Sequence, residues 1–135
     1  MTDHGPNPYV TDIERDTLDN TNFRTTVWTG AHLQLTLMAI PPGGEIGLEV
    51  HEGIDQFLRV ESGTGLCQMG DAKDDLDFER QVGDDDVILV PSGKWHNVTN
   101  TGDEVLKIYS LYGPPDHVAG TVHVTKADAD HDPNE

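Results

Sequence analysis

An all-β domain, a sandwich or a small barrel, is the fold class this sequence predicts, and three observations carry it. Short runs of alternating polarity recur along the chain. Gly- and Pro-rich turns separate them at close intervals. No heptad, internal repeat or convincing helical period breaks the pattern. At 135 residues the chain is one domain by size and long enough to enclose a core. Its apolar share, 35%, suits strands that each show one face to water.

Residues 1–20 are rich in turn and charged residues and read as a flexible acidic arm, with the β domain over 21–125 and an acidic tail over 126–135. Phe23 to Trp28 is the first expected strand, closed by Thr29-Gly30. Ala31 to Ile40 is the clearest, with Leu33, Leu35 and Leu37 on one face and His32, Gln34 and Thr36 on the other. Pro41-Pro42-Gly43-Gly44 ends it. Glu45 to His51, Gln56 to Glu61 and Gly65 to Met69 follow as strands, parted by Gly53 and Ser62-Gly63. Gly70 to Asp86 is acidic and reads as a solvated hairpin; its spacing lacks the glycine and closing glutamate of an EF-hand loop. Val87 to Val90, His96 to Val98 and Val105 to Tyr112 are further strands, and Val118 to Val124 is a last edge strand.

The net charge of −17 argues against nucleic acid and anionic membranes as partners, since both need a cationic surface. The N-terminus, Met1-Thr2-Asp3-His4-Gly5-Pro6, does not read as a signal peptide, and no apolar run reaches the length of a membrane span. A single cysteine, Cys67, fits a reducing compartment, so a cytoplasmic location is expected; mid-strand, it reads as an apolar filler. No Gly-x-Ser-x-Gly elbow, Cys-x-x-Cys pair or phosphate-binding glycine loop occurs.

The chemistry concentrates in two blocks. In the first, Glu49 and His51 stand two apart, so an extended strand projects both from one face, and Gln56 opens the next run. In the second, His96 follows the turn Pro91-Ser92-Gly93. Two imidazoles, a carboxylate and an amide oxygen form a plausible ligand set for one divalent metal ion, with Fe(II), Mn(II) or Zn(II) suited and Ni(II) admitted. Glu49 is the expected anionic ligand and the candidate catalytic residue, and Gln56 either ligates or orients. His4, His32 and His131 read as surface residues. His117 and His123 read as edge-strand surface residues, the alternative being that they fold over a barrel mouth.

Both blocks resemble the two signature motifs of the cupin family, in the same order and at a similar separation. Gly43 falls on the opening glycine of the first motif, Glu49 and His51 on its two histidines, Gln56 on its glutamate and Gly63 on its closing glycine. The second motif is matched from Pro91 to Asn100, with Asp85 standing at its glycine position. The first departs from the family pattern at two of its three metal positions. The resemblance implies a double-stranded β-helix, or jelly-roll barrel, that binds one divalent metal on Glu49, His51, Gln56 and His96. It also implies a homodimer acting on a small oxygenated organic molecule. The family's dioxygenases offer one reaction type. Small cupins similar to this one, of the mannose-6-phosphate-isomerase-like kind, offer an isomerase or lyase. A non-catalytic module that binds a small molecule or metal is the alternative.

Overall fold

Nine strands and two short helices follow one another along residues 2–135, which the computed structural model describes. They run α1 (Ile13–Asp19), β1 (Arg24–Thr29), β2 (Gln34–Ile40), β3 (Asp55–Ser62), β4 (Gly65–Gly70) and β5 (Phe78–Val82). Then come β6 (Val87–Val90), β7 (Trp95–Asn100), β8 (Leu106–Gly113), β9 (Val122–His123) and α2 (Lys126–Asp130). The strands form a six-stranded sheet in the order β6-β3-β8-β2-β1-β9 and a three-stranded sheet β5-β4-β7, with antiparallel pairing throughout the recorded registers.

Alternation decides what each strand turns inward, and β2 turns in its more polar row. Met38 and Ile40 belong to the apolar core, so Gln34 and Thr36 share their face, and both are fully buried. The leucine row lies outside. Leu33 is 44% exposed, and Leu37 is covered beside the end of α1. Register across β3, β8 and β2 then grades the interior. Val60, Ile108 and Met38 form one apolar rung; Leu58, Ser110 and Thr36 form the next; Gln56, Tyr112 and Gln34 form a polar rung at the far end. The domain is thus hydrocarbon at one end and hydrogen-bonding at the other.

Three expectations need correction. The segment Glu45 to His51 is not a continuous strand: it touches β7 only through isolated bridges, Glu45 to Thr99 and Glu49 to His96. Gly47, at φ +109°, breaks the extended path between them. Helices do occur. In α1, Asp12 caps the N-terminus by accepting from the Arg15 amide, and Glu14 and Asp16 suit the dipole of the first turn. In α2, Thr125 and Asp128 form a reciprocal capping box. Runs of seven and five residues are too short for a helical period to show in the sequence. Finally, His117 and His123 are buried rather than surface residues, because the chain after β8 folds back over the domain, where Gln34 holds the His117 carbonyl and Arg24 and Asp132 hold the His123 ring.

Within the segment expected to be an arm, the Asp3 carboxylate accepts from the Thr29 amide and hydroxyl and from the Gly120 amide. Asp85, at the position where the related motif carries glycine, adopts φ +74°. The turn therefore keeps its left-handed backbone without glycine, a conformation that aspartate tolerates better than most residues. Its carboxylate pairs with Arg59.

Candidate metal centre

The bridge between Glu49 and His96 builds the centre. Each donates its amide to the other's carbonyl, at 3.0 and 2.9 Å, and the Gly93 amide holds the His51 carbonyl at 2.9 Å. These bonds lay the short segment against β7 so that three side chains converge. Glu49 Oε1 stands 3.2 Å from His51 Nε2 and 3.5 Å from His96 Nε2, and the two imidazole rings are 5.2 Å apart. A cation bound at about 2.1 Å from each donor sets neighbouring donors roughly 3.0 to 3.4 Å apart. The spacing observed therefore fits a metal ion.

Hydrogen bonding on the far side of each ring assigns the nitrogens. His96 Nδ1 lies 3.1 Å from the Lys94 carbonyl, which can only accept, so Nδ1 carries the proton. His96 Nε2 keeps its lone pair, is buried, and has no hydrogen-bond partner. His51 Nδ1 lies 3.4 Å from Asp116 Oδ1, which likewise leaves Nε2 directed at Glu49. Gln56 is 3% exposed and its Oε1 is also buried without a partner. It sits on the inner face beside Tyr112, whose ring edge meets His51 at 5.8 Å. Ligand atoms of Glu49, His51 and His96 lie within 4.8 Å of one another, while Gln56 stands opposite Tyr112 in the six-stranded sheet.

The charges are tightly coupled. Burial works against ionisation of Glu49, yet contact with His51 and His96 outweighs it and holds the carboxyl well below the usual range. Burial likewise disfavours the His51 cation, but the carboxylates of Asp116 and Glu49 override it and push the imidazole up to about 10 in the metal-free protein. Burial raises Tyr112 strongly, with the nearby carboxylates adding to it, so the phenol stays protonated. Burial also pushes the Cys67 thiol up to about 11, in keeping with a packing role.

The sequence did not disclose Asp116 or the device that holds it. Gln34 Oε1 accepts from the amides of Asp116 and His117 at 3.1 and 2.9 Å. Its Nε2 donates to the His117 carbonyl at 2.8 Å and to Thr29 Oγ1 at 3.0 Å. One buried amide therefore clamps the loop that delivers Asp116 to His51. The only hint was the pair Asp116-His117 after the turn Gly113-Pro114-Pro115.

The family profile described as "Cupin domain" matches residues 36–112, more than half of the chain. The chain belongs to the cupin family. This cupin is 56% identical over 129 residues to the uncharacterized protein YrkC of Bacillus subtilis, covering 96% of the chain and 69% of that protein. A crystal structure of BH2720 from Bacillus halodurans is similar at a TM-score of 0.95 and 58% identity, over 96% of the cupin and 98% of that chain. A putative sugar phosphate isomerase from Acidithiobacillus ferrooxidans shares the fold, at a TM-score of 0.54 and 23% identity, over 63% and 52% of the two chains. The jelly-roll architecture is thereby shown. No helix among the described residues is long and apolar enough to cross a membrane.

Proposed function

We propose that this cupin is a metal-dependent enzyme that holds one divalent ion on Glu49, His51 and His96, with the Gln56 amide oxygen as a fourth donor or orienting group. The observation that carries the proposal is the convergence of two imidazole Nε2 atoms on Glu49, with His96 Nε2 buried and unpartnered. Such a bound ion supplies Lewis acidity toward a carbonyl or hydroxyl oxygen and, if redox-active, a place for O2. The residues supply the rest. Asp116 fixes the His51 ring, the Lys94 carbonyl fixes His96, and Glu49 remains ionised to balance the cation.

The substrate is a small oxygenated organic molecule without a phosphate. Phosphate recognition needs an available guanidinium or ammonium. Arg24 at this end is engaged by His123, Arg59 pairs with Glu61 and Asp85, and Lys94 pairs with Asp71. The two-histidine, one-carboxylate set favours an O2-using reaction. The buried amide oxygen of Gln56 supports a second reading, since two histidines, one glutamate and one glutamine are the donors that the resemblance associates with an isomerase.

Metal analysis of chelator-free protein tests the proposal. The native chain is expected to retain a metal that the His51→Ala, His96→Ala double variant loses. Equal metal in both samples, or none in either, removes the basis for an enzyme of this kind. Oxygen uptake with diketones, catechols and keto-sugars separates the two reaction types. Turnover that continues under anoxia supports the isomerase or lyase. A metal-loaded protein that turns over none of them favours a binding module.

A further inference from the structure

Beyond the centre on Glu49, a second group of titratable side chains gathers at the polar end: Asp116, His117, His123, Asp132 and Glu135, with Arg24 among them. The imidazole nitrogens divide this group in two. His123 Nδ1 lies 3.2 Å from Arg24 Nη1, and a guanidinium only donates, so Nδ1 is the acceptor. His123 Nε2 then donates to Asp132 Oδ2 at 2.9 Å. Both nitrogens of that ring are satisfied, and no lone pair remains for an ion.

His117 is different. Its Nδ1 lies 2.7 Å from Glu135 Oε1, and a carboxylate only accepts, so Nδ1 carries the proton. In the neutral ring the lone pair is then on Nε2. That atom is buried and has no hydrogen-bond partner, on a side chain only 2% exposed. It faces Asp116 Oδ2 at 3.5 Å, the same separation as His96 Nε2 and Glu49 Oε1 in the first centre. Beside a carboxylate oxygen inside the protein that atom needs a positive charge between them, supplied by a bound cation or, as at His51, by a second ring proton that the cation would displace. Around the two centres stand four carboxylates, Glu49, Asp116, Asp132 and Glu135, of which Glu135 pairs with Arg24 while Asp116 and Asp132 face His51 and His123. One divalent ion on Glu49 leaves that excess of negative charge incompletely balanced.

We propose that Asp116 and His117 form a second divalent-cation site. Glu135, whose carboxylate lies within ligating range of both, orients the ring through Nδ1 and adds a third negative charge. With an imidazole in the set, a borderline ion such as Zn(II) is favoured over Mg(II). Asp116 links the two sites, because its Oδ1 faces His51 and its Oδ2 faces His117. Having fewer firm protein donors, the second site fills after the first.

Titration of the full chain with Zn(II), in excess Mg(II) and salt to occupy loose surface carboxylates, tests this proposal. The expected result is two equivalents, one tight and one weaker. His117→Gln is expected to abolish the weaker equivalent, Glu135→Gln to weaken it at least tenfold, and Asp132→Asn to leave both. The His51→Ala, His96→Ala variant is expected to lose the tight equivalent and keep the weaker one. A single equivalent in the native chain, lost in that double variant, overturns the proposal and leaves the first centre standing. A single equivalent lost in His117→Gln alone leaves the second site and removes the first. A weaker equivalent that persists in His117→Gln also overturns it. Glu135→Gln, a change at a partly exposed side chain, supplies the answer should His117→Gln fail to fold.

Discussion

Metal affinity at the Glu49 centre is expected to rise about tenfold per pH unit between about pH 6 and pH 8, each ion that binds releasing a proton. His51 is the cause. In the metal-free protein its imidazole is pushed up to about 10, so across this range an incoming cation must displace a proton from Nε2. Glu49, held below the usual carboxylate range, is already ionised and contributes no such dependence. The rise should level off as the pH passes 10. Titration calorimetry in buffers of different ionisation enthalpy counts the protons directly. An affinity that is flat with pH, with no proton released, would show that His51 is neutral before the metal arrives. The same shift has a stability consequence of opposite sign. The folded value lies above the ordinary 6.5, so the protonated ring stabilises the metal-free fold below that value. This contribution is lost as pH rises from 6.5 through 10. The metal-free protein should accordingly melt earlier toward alkaline pH, and the loaded protein should lack that trend.

Gln34→Leu is expected to lower stability by about 2 to 4 kcal/mol and metal affinity by about tenfold or more. The apolar side chain, one heavy atom shorter, fills most of the space but cannot accept from the amides of Asp116 and His117 or donate to the His117 carbonyl. The loop is then released and His51 loses its orienting carboxylate. Asp116→Asn separates the two effects. It retains the clamp, so stability should change far less, while affinity falls by about 10- to 100-fold through the His51 ring. Chemical denaturation and metal titration on both variants give the comparison. Unchanged affinity in Gln34→Leu would mean that the loop keeps its place without the clamp.

The fold was readable because strand alternation is local. Val87 to Val90 is recovered residue for residue, and the cores of the other long strands lie where alternation put them. Glu49, His51 and His96 come together as their motif positions suggested, but isolated bridges to β7 rather than the parity of a continuous strand set Glu49 and His51 against His96. Local pattern failed where distant partners decide. In β2 alternation separated the leucine row from the Gln34 and Thr36 row without saying which turns in; Gln34 and Thr36 do, and a loop more than eighty positions along the chain accepts from and donates to Gln34. Asp116 and His117 have no periodicity to betray them. The capping pair Thr125 and Asp128 was a legible helix signal, but the acidic composition around it suggested a tail.

The residues proposed as ligands at the Glu49 centre do not share a layer. Gln56 belongs to the six-stranded sheet, His96 to the three-stranded one, and Glu49 and His51 to the interrupted segment between β2 and β3. An ion held there would act as a rivet between the two halves of the sandwich. Exchanging it for one of larger radius should pry those halves slightly apart, coupling the choice of metal to the width of the space in which a substrate must fit.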